Sequence, residues 1–378
     1  MADTVMSRRI NRTGKKAEIG EWLSVFKIEV TSSSFALYEN GLQQVEVTLS
    51  VAPVPDVVIT PEQLESLTIV YLKPDGEYEA LPEKDPAKPV EWFFSKERDK
   101  RFEYYTGSTL ARPAPLVNRL FGCLKTRLTA ASGWLKGVFF PASSVAEISK
   151  AFYVSTLDTG GTLKTLHARI VMSDDAVFVS EDANESEIEL TSIVRPNYFY
   201  PEDYTWANTW SEGDASYAVF IQEWSLSAKQ APFSCAEQNR LNIDGMIRWE
   251  RNAVGESAAS NVGVGYPGIK TVYYNPEIDV GSDFASRRHT TIRSSNDRQV
   301  VVVLQGDNRI PFYMEGLEHS GPSRVLAYDI DGNTHNLEFS FGIEGSPFEQ
   351  RTTLRVNATS PAKRSDTSAA VYAGALSK

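Results

Sequence analysis

The chain has 378 residues, 42% hydrophobic and 23% charged, with a formal net charge of −11. At about 150 residues per domain this length provides for two or three globular units, each able to bury a core without disulfides or metals. The acidic balance argues against nucleic acid as a partner, two cysteines (Cys123 and Cys235) are too few for a disulfide framework, and no apolar run approaches the roughly 20 residues that span a bilayer.

The first sixteen residues carry Arg8, Arg9, Arg12, Lys15 and Lys16 against Asp3 alone, and residues 1–20 read as a disordered basic leader. No apolar stretch follows those charges, so no secretory signal is read; the expected location is cytoplasmic, or outside by a route without a cleavable leader. From Trp22 the pattern becomes periodic. Phe26, Ile28 and Val30 alternate with Lys27 and Glu29, and after the Asn40-Gly41 turn pair Val45, Val47, Leu49 and Val51 alternate with Glu46, Thr48 and Ser50. Period-two alternation of this kind marks half-buried antiparallel strands. Thr60-Pro61-Glu62-Gln63 predicts a capping box opening a short helix, and strands resume at Leu67–Leu72 and Trp92-Phe93-Phe94. Residues 21–103 thus read as one β-sandwich module with an immunoglobulin-like rhythm but without the Cys…Trp…Cys spacing of true immunoglobulin domains.

Residues 104–146 contain no Asp or Glu, and Leu116, Leu120, Phe121, Leu124 and Leu128 fall at helical spacing with Arg119 and Lys125 interleaved. The expected element is a basic amphipathic helix over about 115–130. Packing on the protein's own sheet is one use for it. Contact with an anionic membrane or a partner groove is the other, through Leu116, Arg119, Leu120, Phe121, Lys125, Trp134, Phe139 and Phe140. That second use would make the chain membrane-active and toxin-like.

Residues 147–195 form a further β module, which completes the first sandwich or stands beside it. Leu166, Ala168, Ile170 and Met172 alternate with Thr165, His167 and Arg169, placing His167 on the polar face as a surface imidazole. Arg195-Pro196 marks a boundary before a larger aromatic-rich β domain at 196–357. There Asn, Gly and Ser enrichment over 252–268 predicts loops, and Val300–Leu304 predicts a strand buried on both faces. Asp331-Gly332 predicts a hairpin between Val325–Tyr328 and Leu337–Phe341, and Arg351–Val356 predicts a last strand before a disordered tail at 358–378. The expected fold class is all-β, with two or three antiparallel immunoglobulin-like β-sandwich modules and one or two short inserted helices.

Residues 198–224 hold nine aromatic side chains among acids. Indoles stack on sugar rings and carboxylates accept sugar hydroxyls, so Tyr204, Trp206, Trp210, Glu212, Asp214 and Trp224 are the candidate ligand-binding set; core packing explains such rings equally well. Glycoside hydrolysis would need two carboxylates roughly 5–9 Å apart, with Glu202, Asp203 and Glu223 nearest the rings. Phosphate-loop, nucleophile-elbow and zinc motifs are missing, and four histidines lie far apart in sequence. Asp329-Ile330-Asp331-Gly332-Asn333 begins like a calcium loop, but its glycine sits at the fourth position instead of the sixth and Ser340 stands where the last ligand belongs. The sequence therefore points to a non-enzymatic binding or assembly protein with no cofactor and no metal. Its partner would be a cell-surface glycan or a protein, with self-association open. Carboxylate catalysis on a carbohydrate is the remaining alternative.

Overall fold

The computed structural model describes residues 18–107, 147–173, 176–184, 186–214, 219–238, 246–251, 257–273, 289–294, 297–310 and 320–360. The chain is mostly β, built of several antiparallel sheets with a few short helices. In the amino-terminal half a four-stranded sheet runs in the order β1 (Leu23–Val30), β3 (Val45–Pro53), β7 (Ile148–Thr156), β6 (Trp92–Ser95). A second sheet runs β2 (Ala36–Tyr38), β10 (Ile188–Ile193), β8 (Leu163–Ser173), β4 (Thr68–Leu72), β5 (Tyr78–Ala80), with β9 (Ala176–Val179) also on β8. Both sheets contribute to one core, in which Val45, Val47, Leu49 and Val51 meet Leu37, Ile69, Leu166 and Ala168. The alternation read in Val45–Val51 is the cause: all four valine and leucine side chains are at most 1% exposed. Strands from 21–103 and from 147–195 interleave, because β7 lies between β3 and β6.

The pairing is not wholly antiparallel. β2 and β10 run parallel, with Ala36 opposite Thr191. Some 150 residues separate them in sequence, ample for the crossover that a parallel pair requires. The predicted capping box is present: Thr60 accepts from the Gln63 amide while Gln63 accepts from the Thr60 amide, opening the helix Pro61–Glu65. Two further short helices, Ser180–Asn184 and Pro347–Thr352, were not expected.

The carboxyl half repeats the plan. A five-stranded sheet runs β11 (Tyr204–Asp214), β12 (Val219–Ala228), β18 (Val300–Ile310), β15 (Ser257–Gly265), β14 (Met246–Arg251). A four-stranded sheet runs β13 (Phe233–Gln238), β19 (Ser323–Asp329), β20 (Thr334–Phe341), β21 (Leu354–Thr359). Between them Phe220, Leu226, Val262, Val302 and Leu304 meet Phe233, Ala327, Leu337 and Phe339. Val300–Leu304 is central and wholly buried, as its unbroken apolar run predicts.

Two expectations fail here. Residues 257–265 are an interior strand, not a loop; small side chains are tolerated because a neighbouring strand pair approaches closely. That pair is β16 (Thr271–Tyr273) with β17 (His289–Thr291), and a Cβ on Gly265 would collide with Ile292 and Val272. Arg351 belongs to a helix instead of the last strand, because Ser346-Pro347-Phe348-Glu349 forms a second capping box. The last strand then starts at Leu354 and continues to Thr359, with Ala358 fully buried, so it crosses the predicted tail boundary at 358.

The predicted hairpin at Asp331-Gly332 joins β19 to β20, and it is the joint between the halves. Asn40 Nδ2 donates to the Asp331 carbonyl at 2.9 Å and to Asn333 Oδ1 at 3.1 Å. Gln43 Nε2 donates to Asp331 Oδ1 at 3.2 Å, and the Glu103 amide donates to the Ile330 carbonyl at 2.6 Å. Gly332, at φ +81°, presses against Leu42, so a side chain there would be both strained and crowded.

Candidate functional site

The aromatic block begins in β11 and β12, which pair from Tyr204 opposite Ala228 to Asp214 opposite Val219. A bulge between Asn208 and Trp210 decides its fate. An extra residue reverses which side chains face which side. Before the bulge Tyr204 and Trp206 point into the core, where Tyr204 is 2% exposed. Trp206 stacks on Trp224 at 5.3 Å and 16° and packs on Phe339 at 5.9 Å. After the bulge Trp210 stands opposite Glu223 on the outer face of the sheet. The guanidinium of Arg293 lies 4.2 Å from the Trp210 ring and 3.6 Å from Glu212.

The six residues read as one binding set are therefore divided. Tyr204, Trp206 and Trp224 pack toward the core, Trp210 and Glu212 sit on the outer face, and Asp214 ends the strand. No single cleft joins Trp206, Trp210 and Glu223. Glu223 is 1% exposed, and both its oxygens are engaged by backbone, accepting from the amides of Arg293 at 2.8 Å and Ser294 at 3.0 Å. It clamps the segment after β17 onto the sheet.

The inner face carries a polar network that the sequence reading missed. Asp329, fully buried, accepts through Oδ1 from the amides of Asp331 (2.9 Å) and Asn333 (2.8 Å). Its Oδ2 meets Tyr198 OH at 3.1 Å, Asn333 Nδ2 at 3.2 Å and His335 Nε2 at 3.3 Å. His335 Nδ1 lies 2.8 Å from Tyr204 OH. Burial raises the pKa of both tyrosines, with the Asp329 charge adding to it, so they stay protonated. Each member is buried and each has a partner, so the arrangement fixes the hairpin from inside. The alternation Asp329, Asp331, Asn333, His335 across a predicted hairpin was its visible signal.

His167 is also buried, at 3%, and not the surface imidazole its strand pattern suggested. The Tyr78 ring covers it edge-on at 5.3 Å, and Tyr78 OH in turn donates to Glu181, the second residue of the Ser180–Asn184 helix. Burial pushes its pKa down against the pull of Glu181, Glu187 and Asp182. Strand alternation shows which face a residue takes but not what later covers that face.

Leu116, Arg119, Leu120, Phe121, Lys125, Trp134, Phe139 and Phe140 lie outside the described residues. Among the described residues no group of three His, Cys, Asp or Glu could hold a metal ion, and no helix is long and apolar enough to cross a membrane.

The class is thus a mostly-β protein of several antiparallel sheets. No family model matches the chain, and no curated protein matches it. Among solved structures it is similar to the collagen binding domain of the Erysipelothrix rhusiopathiae surface protein RspB, at 9% identity over 89% of this chain and 96% of that one, with a TM-score of 0.16. Agreement that loose carries no argument about partner or activity.

Proposed function

We propose that the chain is a non-enzymatic binding or assembly protein, that its paired sheets are rigid sandwich modules, and that the outer edge of the five-stranded sheet makes contact with a protein partner. The observation supporting this is the Trp210–Arg293–Glu212 group. The bulge takes Trp210 out of the core, and Arg293 and Glu212 hold it on a strand that ends its sheet. Trp and Arg are the residues that most often anchor protein interfaces. An edge strand adds unpaired backbone groups that a partner strand can engage. The joint at Asp331 and Asn333 supports a fixed presentation of that edge.

The test is a panel of immobilised proteins and glycans probed with the full chain and with Trp210→Ala. The reading expects at least one protein ligand, weakened 10-fold or more by the substitution, since truncating an interface anchor costs about 2 kcal/mol or more. Protein binding indifferent to Trp210→Ala, or retention by glycans alone, would contradict it.

A further inference from the structure

At the edge of the four-stranded sheet, Phe199 bridges to Thr359 of β21. The Tyr200 amide donates to the Ala358 carbonyl and the Ser360 amide to the Tyr198 carbonyl, each at 3.1 Å. These bonds flank the bridge, so Phe199 and Thr359 form a non-hydrogen-bonded antiparallel pair, whose side chains share one face and stand close together. Alternation along the segment decides which rings are hidden: Tyr198 turns inward and is 1% exposed, while Phe199 turns outward and is 58% exposed. Asp203 fixes the backbone beneath the Phe199 ring. Its Oδ2 accepts from the Phe199 amide at 2.8 Å, and its own amide donates to the Phe199 carbonyl at 2.9 Å.

The bridge extends a row of opposed residues across the outer face of that sheet: Phe199, Thr359, Asn336, Leu326. A second row runs beside it: Asn357, Glu338, Arg324. Apart from Phe199, all of these line a groove of about 290 Å³ over β19, β20 and β21, and Phe199 stands next to Thr359 at its end. That volume is close to the lower limit of small-ligand sites, about 300 Å³. Arg324 Nε donates to Glu338 Oε2 at 2.8 Å, so the two charges in the groove cancel.

We propose that this groove binds a neutral hexopyranose unit of a glycan, stacked on the ring of Phe199. The apolar, slightly positive C–H face of a pyranose suits the negative face of an aromatic ring. Asn336 and Asn357 stand one in each row and are both exposed. Each side-chain amide donates through its NH2 and accepts through its oxygen; each sugar hydroxyl does both, so the amides match adjacent hydroxyls. The mutual pairing of Arg324 and Glu338 leaves no net charge to select a phosphate or a metal ion. The bonds that hold Phe199 on both sides of its edge strand fix the platform before a ligand arrives, which lowers the cost of binding. The groove lies on the other sheet from the Trp210 contact surface, and neither needs the other.

Saturation-transfer NMR on the full chain tests it, with the methyl glycosides of glucose, galactose, mannose and N-acetylglucosamine as probes. The expected result is transfer to the ring C–H protons of at least one glycoside for wild type, Phe199→Tyr and Trp210→Ala. Titration of that glycoside should give a Kd raised about 10-fold in Phe199→Ala and in Asn336→Ala. Asn336 is exposed on its strand, so Asn336→Ala covers a failure of Phe199→Ala to fold. No transfer to any of the four probes, an equal Kd in wild type and Phe199→Ala, or a Kd raised by Trp210→Ala would overturn the proposal. None of these results bears on whether Trp210 anchors a protein partner, which the immobilised panel decides.

Discussion

The two faces of the five-stranded sheet bury polar side chains in opposite ways. Inside, Asp329, His335, Tyr198 and Tyr204 complete one another's hydrogen bonds. Outside, Gln305 and Asn261 are buried and Trp249 and Ser294 half-buried, and their buried polar atoms meet no hydrogen-bond partner among the described residues. A satisfied network stabilises a fold and specifies one hairpin register; an unsatisfied one costs about 1–3 kcal/mol per group.

Substitutions should separate the two faces. The largest effect is expected inside. Asp329→Ala leaves two amides, Tyr198, Asn333 and His335 without their acceptor, and should cost about 3–5 kcal/mol in urea unfolding; a loss under about 1 kcal/mol would mean the network is ornamental. Next is Arg351, 1% exposed, which donates to Glu250 Oε2 at 2.6 Å and to Ser260 at 3.3 Å. The side chain of Glu250 is 25% exposed, and solvent weakens the pair. Arg351→Ala should therefore cost about 2–3 kcal/mol, less than a fully buried pair; an Arg351→Ala protein as stable as wild type would remove Arg351 from the satisfied class.

His167 offers a smaller, pH-dependent comparison, since its Nδ1 also lacks a partner. Its folded pKa lies below the ordinary 6.5, so the unfolded chain takes up the proton first. The neutral imidazole's contribution is complete above about pH 6.5 and is lost as pH falls from there through the folded pKa, by up to about 1.4 kcal/mol per pH unit. Wild type should weaken between pH 6.5 and 5 more steeply than His167→Phe; parallel curves would show that His167 titrates alike in both states.

The strands were legible in the sequence because a face against a core enforces period two, as in Val45–Val51, and a strand buried on both sides forbids polar residues, as in Val300–Leu304. The capping box at Thr60 was legible because its chemistry is local. Its twin at Ser346 carries the same local signature, but the alternating pattern around Arg351 competes with it. Other features depended on distant chain. The bulge that parts Trp206 from Trp210 leaves no mark in composition, so one aromatic block looked like one platform. β15 looked like a loop because its small residues answer to Val272 and Ile292. The burial of His167 rests on Tyr78, and no local pattern carries that information.

The decisive measurement is the equilibrium unfolding free energy of Gln305→Leu, compared with wild type without added ligand. If the outer Gln305 amide does not support the fold, removing it should leave the protein as stable as before or up to about 2 kcal/mol more stable. A loss of about 2 kcal/mol or more would show that the outer amide already supports the fold, and the contrast between the two faces would be gone.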